Sequence, residues 1–144
     1  MKHIVLVPDS FKGTLSSRQV CEIMGKELRK VFPQVKLHTL PVADGGEGSV
    51  EAFLTAVGGE RKTLTVTGPY GKPMESFYGL LSDGQTAVVE MAACAGLPLV
   101  EGHPDPEKTT TYGVGELILA AKEAGCKKII LGLGGSCTND GGTG

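Results

Sequence analysis

The sequence predicts an α/β fold built on a parallel sheet. An apolar run, an amphipathic helix and a second apolar run follow one another within residues 1–41, which is the pattern of a βαβ unit. Glycine supplies 22 of 144 residues, about twice ordinary usage. These glycines collect just after apolar runs, where the strand-end loops of such folds meet ligands.

Each element has its own signal. Residues 3–8 form a short continuous apolar run, suited to a buried parallel strand. Ser16 stands three residues before Gln19, the spacing of a capping box, and Val20, Met24, Leu28 and Val31 follow at helical intervals. A helix is therefore expected over 17–32, stopped by Pro33, with a second strand over 35–41. Val50, Phe53, Leu54 and Val57 share one face of another helix, and Gly58 is a natural stop. Three strand candidates then succeed one another without a helix, over 62–67, 76–81 and 86–91. That succession predicts an antiparallel or mixed patch and a domain boundary near 60–68. A helical turn over 92–97, a proline-punctuated loop, a helix over 113–124 and a buried strand over 128–133 complete the order. The last residues form a glycine-rich strand-end loop, which normally feeds a further helix, so the chain reads as truncated.

Composition removes several classes of function. Apolar residues make up 40% and charged residues 21%, as in globular rather than disordered or fibrous chains. A net charge of -2 offers no basic excess to nucleic acid. No apolar run reaches the roughly 20 residues of a membrane span, and the N-terminus lacks the marks of a signal peptide, which points to the cytoplasm. Cys21, Cys94, Cys126 and Cys137 are scattered without a Cys-x-x-Cys pair and read as free thiols. His3, His38 and His103 show no metal spacing. The general nucleotide motifs fail as well. Gly71-Lys72 runs into Pro73 and Gly25-Lys26 into Glu27, where a phosphate-binding loop wants Ser or Thr. Gly132-Leu133-Gly134-Gly135-Ser136-Cys137 carries Cys where a dinucleotide fingerprint wants Gly or Ala.

Three loops and one carboxylate remain as candidates. Residues 8–14 place Asp9, Ser10 and Lys12 after the first strand; an acid and a lysine there suit cation or proton handling and a phosphate, although the loop taken alone reads slightly better as a surface ion pair in a turn. Residues 41–48 end in Asp44-Gly45-Gly46-Glu47-Gly48. Those glycines let amides face an anion, while the acids fit a helix cap, with Asp44 as the cap, just as well. Residues 132–144 hold Gly134, Gly135, Ser136, Thr138, Asn139 and Asp140, groups suited to phosphate and Mg²⁺; a flexible loop is the alternative, disfavoured because the segment follows a strongly apolar strand in an α/β pattern. Glu90 interrupts an apolar strand, so its carboxylate lies in a cleft, is paired inside the fold, or sits on a solvated edge.

Together these segments resemble the bacterial-type glycerate kinase family. The matching stretches are Val7-Pro8-Asp9-Ser10-Phe11-Lys12-Gly13-Thr14, Pro41-Val42-Ala43-Asp44-Gly45-Gly46-Glu47-Gly48, Val89-Glu90-Met91-Ala92, Thr109-Thr110 with Gly113-x-Gly115-Glu116-Leu117-Ile118, and Gly134-Gly135-Ser136-Cys137-Thr138-Asn139-Asp140-Gly141-Gly142. Cys137 and Cys94 stand where Ala and Ser are usual, and Thr111-Tyr112 varies the threonine-rich loop. The resemblance implies an ATP-dependent, Mg²⁺-requiring kinase that phosphorylates D-glycerate, with 2-phosphoglycerate rather than 3-phosphoglycerate as the expected product. It implies a discontinuous Rossmann-like domain with a second α/β domain inserted: residues 1–65 open the first, and 66–144 begin the second. On this reading Asp9, Lys12, Asp44 and Asp140 are catalytic, with Asp44 and Asp140 as metal ligands. Ser10, Gly45, Gly46, Glu47, Glu90, Gly134, Gly135, Ser136, Thr138 and Asn139 would bind substrate or phosphate. Arg18, Arg29 and Arg61 lie outside the candidate loops, so the cation for the glycerate carboxylate is expected beyond this chain. A non-catalytic module for small acids or phosphate, or an inactive portion of the kinase, is the alternative. The residues leave the oligomeric state open.

Overall fold

Residues 2–144 are described by a computed structural model. The chain divides into two compact units, 1–43 and 44–144.

In the first unit, β1 (His3–Leu6) and β2 (Lys36–Thr39) pair in parallel, with His3 opposite Lys36 and Leu6 opposite Thr39. The connection is α1 (Ser17–Val31), so the expected βαβ unit is present. Strand alternation turns Ile4, Leu6 and Leu37 inward, and α1 buries Val20 and Cys21. Both halves of the capping box form: the Ser16 hydroxyl accepts from Gln19 N, and the Gln19 side chain accepts from Ser16 N at 2.8 Å. The helix ends at Val31, one residue before the expected stop.

In the second unit, β3 (Gly59–Thr67), β4 (Pro73–Leu81), β5 (Thr86–Glu90) and β6 (Lys128–Gly132) lie in that order in one sheet. The first two pairings are antiparallel and the last is parallel, which is the mixed patch expected from three strands in succession. The change of pattern near 60–68 is the start of the β3–β4 hairpin. Every residue of β5 is buried, because two helices cover its two faces. On one face, Ala87 and Val89 pack with Val114, Leu117 and Ala121 of α4 (Tyr112–Glu123). On the other, Val50 and Leu54 of α2 (Ser49–Val57) approach Gly79 of β4. A short helix α3 (Ala92–Ala95) and a 3-10 turn (Leu97–Val100) lead from β5 toward α4. The ordering of the core is therefore sheet between helices, and the C-terminal ends of the parallel pair β5 and β6 open onto Glu90 and the loop after Gly132.

Candidate functional site

The first unit carries its candidate residues past the C-terminal end of β1. Asp9 accepts a hydrogen bond from Ser10 N at 2.7 Å. Phe11 and Leu15 then pair as an isolated bridge, and Thr14 N donates to Phe11 O at 2.8 Å. This closes residues 11–15 into a tight turn with Lys12, exposed, near its tip. Sequence reasoning passed over Ser17, the first residue of α1. Its hydroxyl donates to Pro8 O at 2.6 Å and accepts from Val42 N at 3.0 Å. One buried serine thus ties the loop after β1 to the loop after β2. The clue was a second serine beside the capping Ser16.

The second unit brings two of the glycine loops into backbone contact. Gly134 N donates to Gly45 O at 2.9 Å. A Cβ on Gly132 would lie 2.5 Å from Gly45 O, and one on Gly134 would lie 2.8 Å from Gly46 N. Only glycine permits this crossing, so the composition noted in the sequence has a steric cause here. The loop 44–48 is shaped further by Asp44, whose carboxylate accepts from Gly46 N at 3.1 Å. Asp44 does not cap α2: the N-cap is Gly48, left-handed at φ 88, with no side-chain cap of its own.

The missing cap comes from Glu90. Its carboxylate accepts from Val50 N at 2.9 Å and from Gly48 N at 3.4 Å. Glu90 is 3% exposed at the end of the interior strand β5, which excludes the solvated-edge reading. Burial pushes its carboxyl above the usual glutamate range, partly offset by the two amide hydrogen bonds.

Asp140 has a comparable place at α4. Its carboxylate accepts from Thr111 N at 2.6 Å, from the Thr111 hydroxyl at 2.9 Å and from Gly142 N at 2.9 Å. Desolvation pushes this carboxyl up, but the hydrogen bonds from Thr111, Gly142 and Thr110 outweigh it and hold Asp140 below the usual range. Around it, Thr138 donates its hydroxyl to Thr109 O at 2.7 Å, and Thr109 donates to Cys137 O at 2.9 Å. Ser136 accepts from Thr138 N at 3.2 Å, and Asn139 N donates to Pro106 O at 3.3 Å. Thr109 and Thr111 are the organising residues of this loop. The run of three threonines before a helix was the signal for them.

The structure therefore joins Gly45 and Gly46 to Gly134, joins Glu90 to the start of α2, and joins Asp140 to the start of α4. Gly135 contributes its carbonyl to Leu97 N at 2.9 Å, and Glu47 is exposed. Asp9, Ser10 and Lys12 belong to the other unit. Among the described residues no group of three or more His, Cys, Asp or Glu side chains is placed to hold a metal. All four cysteines are free and buried; burial pushes the Cys94 thiol up to about 12 and raises Cys137 also, so neither is poised as a nucleophile.

The chain is an α/β protein with glycine- and carboxylate-bearing loops at the C-terminal edge of parallel strands, the edge at which such folds usually bind ligands. A family model described as "Glycerate kinase family" matches residues 4–144. The chain is 49% identical over 142 residues to glycerate kinase of Bacillus subtilis (strain 168), covering 98% of this chain and 37% of that protein. The same figures hold for glycerate 2-kinase of Escherichia coli (strain K12). A crystal structure described as "putative glycerate kinase 2 from Salmonella typhimurium LT2" superposes with a TM-score of 0.79 at 46% identity, over 99% of this chain and 38% of that one. The chain belongs to the glycerate kinase family, and it spans little more than a third of the length of the relatives it matches.

Proposed function

We propose that the protein works as a glycerate kinase, moving the γ-phosphoryl group of ATP to the 2-hydroxyl of D-glycerate and releasing ADP and 2-phosphoglycerate. The observation that carries this reading is 49% identity to a protein named glycerate 2-kinase across 98% of the chain. The candidate loops of both units lie inside residues 4–144, which the family model matches. In the proposed architecture, residues 1–65 open a Rossmann-like domain and 66–144 begin a second domain inserted in it. The buried free cysteines accord with work in the cytoplasm.

In the proposed step, the glycerate hydroxyl oxygen bonds to the γ-phosphorus as the bond to the β–γ bridging oxygen breaks. Such transfers depend on positioning and charge stabilisation. Lys12, at the tip of its tight turn, supplies positive charge to the transferring group. Mg²⁺ bound with ATP would supply further neutralisation of the phosphates. Mg²⁺ often binds through one or two carboxylates plus phosphate oxygens, a mode that the exposed Asp44 suits. Asp140 is a weaker base than an ordinary aspartate, because the hydrogen bonds from Thr111 and Gly142 favour its ionised form. Asp9 and Asp44 are the remaining acids for accepting the hydroxyl proton.

The test is phosphorus NMR of products formed from ATP, Mg²⁺ and D-glycerate, by the 144-residue chain and by the full-length protein. Glycerate-dependent ADP with 2-phosphoglycerate supports the reading. A 3-phosphoglycerate product overturns the regiochemistry. Binding of D-glycerate or ATP with no turnover by either form favours the non-catalytic module; turnover only at full length makes the chain alone an inactive portion.

A further inference from the structure

We propose that Glu90 is a positioning residue: its buried carboxylate holds the loop 44–48 and the start of α2 in their working conformation, and it does not touch substrate. This rests on the kinase reading of that loop. Both Glu90 oxygens turn toward α2, one to Val50 N and one to Gly48 N, and the residue is 3% exposed. A helix N-terminus leaves backbone N–H groups unsatisfied and carries partial positive charge, so an anionic acceptor is the favoured partner. The N-cap itself offers none, since Gly48 has no side chain to cap with. The acceptor is imported from a strand 40 residues away.

The same strand end grips the loop a second time. Glu90 sits directly opposite Gly132 in the parallel register, and Gly132 is the residue whose missing side chain admits Gly45 O. Neighbouring positions on β5 and β6 thus hold the two ends of one loop, Glu90 by hydrogen bonds at 48–50 and Gly132 by close packing at 45. With each oxygen on a backbone amide and the side chain closed off from solvent, this carboxylate does not face a ligand bound at the surface of loop 44–48. Its effect on chemistry therefore passes through the loop.

Glu90→Gln keeps the size of the side chain but removes the charge and replaces one acceptor by a donor. In NMR-resolved hydrogen exchange on the protein and this variant, the Gly48 and Val50 amides should exchange at least about tenfold faster in Glu90→Gln. The Leu117 amide, in the core helix α4, should be unchanged and so reports an intact fold. In the full-length enzyme, KM for at least one substrate should rise about tenfold with kcat within about threefold, as for lost positioning rather than lost chemistry. Should the variant fail to fold, through-hydrogen-bond coupling between Val50 N and the Glu90 carboxyl carbon in the unmutated protein decides the contact. Unchanged exchange at Gly48 and Val50, absence of that coupling, or a collapse of kcat at constant KM overturns the proposal. If the unmutated enzyme shows no glycerate-dependent turnover, the kinase reading fails, while the exchange data still decide what Glu90 holds.

Discussion

Thr111 gives both its backbone N–H and its hydroxyl to the carboxylate of Asp140, at 2.6 and 2.9 Å. The pair fastens the loop after β6 to the N-cap of α4. It also fixes the charge state of Asp140, because every donor that faces it favours the ionised form.

Asp140→Asn should lower stability near neutral pH by about 1 kcal/mol, discounted for partial exposure. The folded carboxyl lies below its ordinary value. Its stabilising contribution is therefore present above the ordinary carboxylate range and lost as pH falls through the lowered folded value. Urea midpoints measured from about pH 5 to about pH 3 should fall more steeply for the unmutated protein than for the variant. Parallel curves would refute the assignment.

Glu90 should act with the opposite sign. Burial raises its folded value, with Val50 and Gly48 opposing, Glu47 adding to the rise and Arg61 reducing it. Protonation costs less in the fold than in the unfolded chain, so this contribution is complete below the ordinary glutamate range and lost as pH rises through the raised value. Between about pH 4.5 and neutrality, Glu90→Gln should show a flatter stability profile than the unmutated protein.

Two glycine-to-alanine changes should part company. At Gly132 the new methyl would meet Gly45 O at 2.5 Å, backbone that cannot swing aside. Gly132→Ala should therefore cost about 1–3 kcal/mol in denaturant melts. Gly115, within α4, has nothing within 4 Å of an added Cβ. Gly115→Ala should stabilise by about 0.5–1 kcal/mol through a less flexible unfolded chain.

Ser17→Ala removes the hydroxyl that joins Pro8 O to Val42 N. A loss of about 1–2 kcal/mol is expected, read as a lower melting temperature. Faster proteolysis within 8–14 and 40–43 should accompany it, since both loops lose the same tether.

Lys12→Ala in the full-length enzyme should cut kcat by more than about 10²-fold if the lysine neutralises the transferring phosphoryl group. Because Lys12 is exposed, its melting temperature should change little. Near-normal turnover would remove the lysine from the mechanism.

By itself the sequence determined the elements and their order. Helix periodicity at Val20, Met24, Leu28 and Val31, the Ser16–Gln19 box and the apolar run into Glu90 are local signals, and each element lies within a few residues of its expected span. Local signals suffice there because helix hydrogen bonds and caps join residues three or four apart, and the side-chain alternation of a strand lies within one segment. Glu90 was legible as an anomaly, a carboxylate in an apolar strand, but its partners were not. Tertiary structure alone decided that it serves α2 rather than an edge, that Asp140 belongs to Thr111, and that Gly132 and Gly134 pass over Gly45 and Gly46. Those contacts span 29 to 40 residues or more of chain. They depend on the parallel register of β5 and β6 and on how closely backbones can approach, and neither quantity is written in the spacing of residues along one segment.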